Sequence, residues 1–395
     1  MTHRRPDELP VVQFRARPDV IDLGWGHPHP AALPTDAWAT ATAGALRRYG
    51  SAALSYGYAA GPGPLVEWLT ERLGRVDAYR PEADQVFVTA GASQALDLLA
   101  GAVCRPGDAV LVDAPTYHLA LRIVADHRVD LVAAPTDRDG LDPAGTAELV
   151  RSLRRRGRRV PMLYLVPTFN NPTGRSLPSD RRAGLVAMAE EAGLLVVEDD
   201  TYRELSYDGP APASLFSTAA TGTVARVGSF SKTVAPGLRL GWLTADAGLV
   251  AGLHRRGHVD SGGGVNHTTA LTMAEFAADG GYDRHLSGIL ARYRRQRDAL
   301  VTAVRRHLPD ARFDVPGGGW FLWLRSGADR VDLPGPDELL ARAEAAGVSY
   351  LEGTWFYPGR AAGRDRIRLS FSRLDPAELA EGVRRLAGAL TDGDA

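Results

Sequence analysis

The chain reads as an α/β protein, with a large domain built on a mostly parallel sheet between helices and a smaller α+β domain after it. Three observations lead there. From about residue 85 to about residue 230, short runs of β-branched and other apolar residues alternate with helical segments, the rhythm that βαβ units impose. At 395 residues the chain exceeds what one hydrophobic core usually serves, so two unequal domains are expected. After a long helical stretch the alternation gives way to a Gly-rich hairpin, one further strand and two helices. The expected division is an N-terminal segment over 1–55 that joins the small domain, a large domain over 56–285, and the small domain over 286–395.

The first strand of the large domain is Gln85-Val86-Phe87-Val88-Thr89, and a helix should open near 93. Ala109-Val110-Leu111-Val112-Asp113 is the second, with a helix from about 117. Leu131-Val132-Ala133-Ala134, the apolar run 161–166, Leu194-Leu195-Val196-Val197-Glu198-Asp199 and Val224-Ala225-Arg226-Val227-Gly228 follow. A helix from roughly Tyr282 to Leu308, rich in Arg, Leu and Ala, leads out of this domain. Beyond it come the hairpin Pro316-Gly317-Gly318-Gly319-Trp320-Phe321-Leu322-Trp323-Leu324, a helix near 336–346, the strand Arg366-Ile367-Arg368-Leu369-Ser370-Phe371 and a last helix near 375–390. In open parallel sheets ligands sit at the carboxyl ends of the strands. Gly91-Ala92-Ser93, Tyr117, Asn171, Asp199 and the run Ser229 to Lys232 all follow strands directly.

Composition narrows the partners. Hydrophobic content of 45%, charged content of 24% and a net charge of -1 give no general attraction to nucleic acid or to anionic membranes, which points to a small-molecule partner. Arg151 to Arg159 holds six arginines at the expected end of a helix, and without basic stripes elsewhere it reads as a solvated helix end. The lone Cys104 has no intrachain partner and reads as a buried structural thiol at a helix end. Met1 to Glu8 has no apolar signal core, and no stretch approaches the roughly 18 apolar residues of a membrane span, so a cytoplasmic location is expected.

Among 46 cationic residues one is a lysine, Lys232. Arginine stays protonated in proteins and cannot do chemistry that needs a deprotonatable amine, so any such chemistry falls to 232. Codon bias explains the composition equally well; the surroundings separate the two readings. Gly228-Ser229-Phe230-Ser231-Lys232 is followed by Pro236-Gly237-Leu238-Arg239, which places hydroxyls before the amine and a cation seven residues after it. Upstream lie a Gly91-Ala92-Ser93 turn that can offer backbone N–H groups to a phosphate, and Asn170-Asn171-Pro172-Thr173-Gly174. Taken alone, each of these is equally an ordinary turn or cap. Glu198-Asp199-Asp200 ends an apolar strand with three carboxylates, which need a cation or donors. A metal is the competing explanation, but no histidine stands at ligand spacing, so none is expected.

In order, these parts suit pyridoxal 5′-phosphate (PLP), whose aldehyde needs an amine, whose phosphate needs N–H groups, hydroxyls and a cation, and whose ring nitrogen needs a carboxylate. With Asn171-Pro172-Thr173-Gly174, Asp199 with Tyr202 three residues on, and Ser229-Phe230-Ser231-Lys232 before Arg239, the chain resembles the fold-type I PLP enzymes. Within them it is similar to the class I/II aminotransferases of the aromatic and aminoadipate branch, which includes the enzyme-like domain of MocR regulators. The resemblance covers about residues 20 to 390 and implies a mostly parallel seven-stranded sheet. It implies that Ala92, Ser93, Ser229, Ser231 and Arg239 bind the phosphate, that Tyr117 stacks on the ring, and that Asn171 and Tyr202 donate to the phenolic oxygen. Asp199 would pair with the ring nitrogen, and Lys232 would form the aldimine and shuttle the proton. Arg368 would clamp the substrate α-carboxylate beside Gly26 and Asn171, with Arg366 as the fallback. Tyr56 would reach the phosphate of a neighbouring subunit, which implies a homodimer with shared active sites; the other reading of Tyr56 is core packing.

Three stretches depart from the family pattern. They are Gly24-Trp25-Gly26-His27-Pro28-His29-Pro30, the segment 261–267, and Glu352-Gly353-Thr354-Trp355-Phe356. They are expected to shape a distinctive side-chain pocket, and His27 and His29 either touch substrate or are ordinary loop residues. The expected function is transfer of the amino group of an L-α-amino acid to a 2-oxo acid. The alternative keeps the cofactor but ends in elimination, replacement, cyclisation or oxidation of an amino acid, as natural-product pathways use. A ligand-sensing role is less suited, because about 20 residues before Ile21 are too few for a helix-turn-helix domain. A cofactor-free lysine imine enzyme would be colourless.

Overall fold

The computed structural model describes residue 17 and residues 19–77, 79–219, 222–262, 266–325 and 335–391. A seven-stranded sheet runs through β1 (Val86–Thr89), β2 (Ala109–Val112), β3 (Asp130–Ala133), β4 (Met162–Leu165), β5 (Leu195–Asp199), β6 (Val224–Ser229) and β7 (Gly241–Thr244). Their order across the sheet is β1-β7-β6-β5-β4-β2-β3. From β6 to β3 every pair is parallel, while β7 runs antiparallel to both β6 and β1. The parallel strands have both faces covered, which is why they read as continuous apolar runs.

Side chains still alternate between the faces. Val110, Val112, Tyr164 and Val197 join one apolar cluster with α3 (Ala92–Val103) and α4 (His118–Ala125). Leu111, Leu163, Leu165 and Val196 join another with α6 (Ser179–Ala192). The strand β7 is absent from the sequence reading. Gly228 and Gly241 let it approach: a Cβ on Gly228 would lie 2.1 Å from the Trp242 ring, and one on Gly241 would lie 2.7 Å from the Gly228 carbonyl oxygen. Two helices before the sheet, α1 (Thr35–Tyr49) and α2 (Gly63–Val76), were also not foreseen.

The helix foreseen over Tyr282 to Leu308 is α8 (Gly281–His307), preceded by α7 (His267–Ala277). Beyond it, β8 (Phe321–Arg325), β9 (Leu351–Glu352) and β10 (Arg366–Ser370) form a three-stranded antiparallel sheet in the order β8-β10-β9. The helices α9 (Pro336–Ala345) and α10 (Pro376–Thr391) complete this unit, and α10 packs along α8. The described part of the N-terminal segment goes two ways. Ile21–Asp22 pairs in parallel with Val348–Ser349, whereas α1 packs on α7. Residues 1–16 lie outside the described residues.

The arginine run does end a helix, α5 (Pro143–Arg155), and its charges are answered locally. Arg151 and Arg155 pair with Glu148, Arg158 with Asp130 and Arg159 with Asp108. Cys104 caps the end of α3 but is only half-buried. Burial nonetheless pushes its thiol up to about 11, which makes it a poor nucleophile.

The three carboxylates at the end of β5 divide by strand alternation. Asp199 shares the face of Tyr164, whose hydroxyl donates to it at 2.7 Å. Glu198 points the other way, accepts the Leu215 and Phe216 N–H groups at 3.0 Å each, and faces Arg182 at 3.6 Å. Asp200 accepts from Arg203 Nε and Arg226 Nε at 2.8 Å each, and Arg226 Nη1 also donates to Asp77 at 2.9 Å. Thus arginines and backbone N–H groups answer Glu198, and arginines answer Asp200. Removing one partner strands buried carboxylates, so Arg226→Ala is expected to destabilise the fold by about 3–5 kcal/mol. A urea midpoint equal to that of the wild type at unchanged slope would refute this.

Candidate active site

The site lies at the carboxyl ends of β2, β4, β5 and β6 and is closed on one side by the C-terminal sheet. A cavity of about 160 Å³ there is lined by Lys232, Asp199, Tyr202, Tyr117, Asn171 and Arg368 among others. Ala92, Ser93, Ser229, Ser231, Arg239 and Gly26 line it too. Of the residues expected at the site, one does not line it: Tyr56 is 88% exposed at the surface, which also rules out the core-packing reading within one chain.

The turn before α3 and the loop after β6 meet at one end of the cavity. Gly91, at φ 84°, opens α3, whose first residues are Ala92 and Ser93, so free N–H groups of a helix N-terminus face the cavity. Arg239 lies across that turn and donates to the Ala90 carbonyl at 3.4 Å and the Pro236 carbonyl at 3.2 Å. A Cβ on Gly91 would stand 2.7 Å from the Arg239 guanidinium, so only glycine lets this cation reach the helix start. Ser229 Oγ accepts from the Ser231 N–H at 3.1 Å, which holds the two hydroxyl residues together before the lysine. Arg239 itself takes a left-handed backbone, φ 45°, a local strain of the kind that gathers at ligand sites.

Lys232 projects into the middle of the cavity. Its Nζ lies 4.9 Å from the centroid of the Trp320 ring and 5.8 Å from that of Tyr202. Loss of water lowers its pKa to about 8, opposed by the negative charge of Asp199 and aided by Arg368 and Arg239. Asp199 lies on the floor, where Tyr164 holds Oδ2 and the Thr201 N–H donates to Oδ1 at 3.3 Å. Burial still raises its pKa above the usual carboxylate value. A buried, ionisable carboxylate on the floor is suited to a cationic partner. Tyr117 stands at the N-terminus of α4, and burial pushes its phenol up to about 12, so it stays neutral.

Opposite the helix start, Arg368 on β10 is almost wholly buried. It donates to Asn171 Oδ1 at 2.8 Å and to the Gly24 carbonyl, while its Nε has no partner. Its guanidinium carbon lies 4.0 Å from the centroid of the Phe321 ring and 5.1 Å from that of Phe356. Desolvation lowers its pKa to about 10, still charged at neutral pH. An orphaned buried guanidinium N–H asks for an anion. Gly26 lies against Phe321, where a Cβ would come within 2.7 Å of the ring. Arg366 points away toward Asp365, 3.5 Å off.

The departing stretches separate. His27 lines the cavity, whereas His29 accepts from the Ala31 N–H at 3.0 Å and faces Asp375 at 3.4 Å, a loop residue. Phe356 stacks edge-on with His118 at 5.2 Å and so reaches the site. Residues 263–265 of the 261–267 segment lie outside the described residues, and His267 contacts the Ala52 carbonyl at 3.1 Å, away from the cavity. Trp25, within the first departing stretch, lines the site as expected, and His118 and Phe321 line it without having been singled out. Only the adjacency of His118 to Tyr117 could have flagged it; Phe321 arrives from the far hairpin.

Together the helix start, hydroxyls and Arg239 suit a phosphate, the central amine an aldehyde, the floor carboxylate a protonated ring nitrogen, and Arg368 a carboxylate. These are the parts that pyridoxal 5′-phosphate and an amino acid need. Comparison with known proteins points the same way. The family model for aminotransferases of class I and II matches residues 18–386. An aromatic-amino-acid aminotransferase of Thermococcus litoralis is 32% identical over 387 residues, 95% of this chain and 88% of that one. A kynurenine aminotransferase of Pyrococcus horikoshii, solved in complex with PMP, superposes with a TM-score of 0.87 at 32% identity, covering 95% of this chain and 92% of that one. An α-aminoadipate aminotransferase of Thermus thermophilus, complexed with N-(5′-phosphopyridoxyl)-L-leucine, gives a TM-score of 0.82 at 30% identity, with 95% and 93% covered.

Proposed function

The chain belongs to the class I and II aminotransferases, enzymes dependent on PLP, and on that premise we propose that it moves the amino group of an L-α-amino acid to a 2-oxo acid through Lys232. The observation that carries this reading is that the Lys232 amine, desolvated and lowered in pKa, shares one cavity with Asp199, Arg239 and Arg368. When bound, the cofactor supplies an electron sink for negative charge at the substrate α-carbon. The chain's own groups do the rest.

Arg368 takes the substrate carboxylate, its unpartnered Nε and its two bonded nitrogens offering a fork, with Asn171 fixing the fork's orientation. Tyr117 and the rings of Trp320 and Phe321 exclude water from the lysine. Asp199, held by Tyr164 and Thr201, would offer its negative charge to the ring nitrogen. The N–H groups of Ala92 and Ser93, with Ser229, Ser231 and Arg239, would hold the phosphate, and Asn171 and Tyr202 would hold the phenolic oxygen. Lys232, neutral in useful amount near pH 8, would take the proton from the substrate α-carbon and hold it on Nζ for return.

Tyr56 stands with Leu54 and Tyr58 as an exposed apolar group, 72–88% exposed, which supports a homodimer in which Tyr56 reaches a neighbouring site. No helix among the described residues is long and apolar enough to cross a membrane, which is compatible with the cytoplasmic reading. The division at about residues 55 and 285 is retained as part of this proposal, with Ile21–Asp22 joining the small domain and α1 packing on the large one.

The deciding experiment mixes purified holoprotein with a panel of L-amino acids and follows the cofactor spectrum and product masses. Stoichiometric 2-oxo acid with amination of the cofactor is expected; product without that amination would mean elimination or cyclisation instead. A pH dependence follows as well. Below about pH 8 the neutral share of Lys232 falls about tenfold per pH unit, so cofactor uptake by stripped protein should slow about as steeply and level off above 8. A rate flat from pH 6 to 8 would contradict it.

A further inference from the structure

Asp113 follows β2, and its backbone N–H donates to the Tyr164 carbonyl at 2.9 Å, which pins it to the sheet. Four residues later the chain reaches Tyr117. Across from it lies the turn that carries Asn171. Asn170 Nδ2 donates to Asp113 Oδ2 at 3.1 Å and has a longer contact, 3.5 Å, to the Pro115 carbonyl. The other end of the Asn170 amide ties the turn to itself, its Oδ1 accepting from Thr173 N–H at 3.0 Å and Thr173 Oγ1 at 2.9 Å. The next residue, Asn171, receives Arg368. One carboxyl therefore links the strand end that leads to Tyr117 with the turn that orients Arg368.

We propose that Asp113 is a positioning residue for carboxylate recognition: through Asn170 it holds Asn171 where Arg368 needs its acceptor. The inference rests on the reading of Arg368 as the carboxylate clamp. Asp113 does not line the cavity around the lysine; it borders a separate cleft of about 530 Å³ on the far side of the Asn170 turn. Though only half-buried, it is desolvated at a cost: its carboxyl is pushed up to about 7, against the Ala114 N–H and the Asn170 amide. Tyr164 on β4 and Tyr357 after Phe356 are the titratable groups that feel its charge, and both phenols are raised and neutral. A leucine would fill the same space without that cost. What the carboxyl adds is an acceptor aimed at Asn170.

The test uses holoenzyme variants Asp113→Ala, Asp113→Leu, Asp113→Asn and Arg368→Ala. Two quantities are read: KM and kcat for the fastest amino acid of the panel, and the Kd of the unreactive carboxylic acid with the same skeleton but no amino group, from its protection against thermal unfolding. Loss of the acceptor in Asp113→Ala and Asp113→Leu should raise KM and that Kd about tenfold, with kcat within about threefold. Asp113→Asn, which keeps an acceptor for Asn170, should restore most of the affinity. Wild-type Kd in both Asp113→Ala and Asp113→Leu, or failure of Asp113→Asn to restore it, overturns the proposal. If Arg368→Ala also keeps the affinity, the clamp reading itself has failed, and that result is distinguishable from failure of the Asp113 link alone.

Discussion

Lys232→Ala is expected to lower kcat by about 10,000-fold or more while the protein folds as before, because it removes at once the covalent anchor and the proton carrier. Lys232→Arg is the sharper variant. It keeps a cation between Asp199 and the aromatic wall but offers no deprotonatable amine, and a guanidinium cannot shuttle the proton. The fold should not suffer, since the Lys232 amine is destabilised by desolvation, as its lowered pKa shows. Melting curves check the fold, turnover checks the chemistry, and borohydride reduction of the holoprotein followed by peptide mass analysis checks the attachment point. With a single lysine in the chain, a pyridoxyl mass on any peptide but the one holding Lys232 would sink the assignment. So would an arginine variant within about tenfold of wild-type turnover.

Much of this site could be read from the sequence because each of its parts sits just after a strand, and the strands announce themselves by apolar runs. Strand alternation then sends Asp199 to the cavity, while its neighbours on either side turn to Arg182, Arg203 and Arg226. The sequence showed three adjacent acids; the division among them follows from the pleat and the placement of distant arginines. β7 escaped notice because Gly241-Trp242-Leu243-Thr244 is short and its pairing depends on two glycines whose missing side chains leave the space. Trp320 and Phe321 escaped as site residues because they are carried in from a hairpin nearly ninety positions beyond the lysine, and nothing local to that hairpin says which cavity it will roof. Tyr56 shows the reverse case: the resemblance implies a phosphate contact that the single chain does not make, and the proposal assigns that contact to a second copy.

Asp199→Asn sets activity and stability against each other. The asparagine fits the same place and can still accept from Tyr164, yet it carries no charge to keep the ring nitrogen protonated, and loss of such an aimed charge is expected to cost about 100- to 1,000-fold in kcat. Stability should move the other way. The folded protein raises the pKa of Asp199 above its unfolded value, so at neutral pH the ionised form is less favourable folded than unfolded, and its contribution is lost as pH rises through the folded pKa. Removing the charge removes that cost. Stripped Asp199→Asn protein should therefore melt no lower than stripped wild type near pH 7, and the difference should shrink on acidification as the wild-type carboxyl takes its proton. Added cofactor should raise the melting temperature of the wild type more than that of the variant, because only the wild type gains a partner for its buried charge. Equal shifts in the two proteins would mean that Asp199 does not face the ring nitrogen, and an activity loss accompanied by a lower melting temperature of the stripped variant would assign it to structure instead of chemistry.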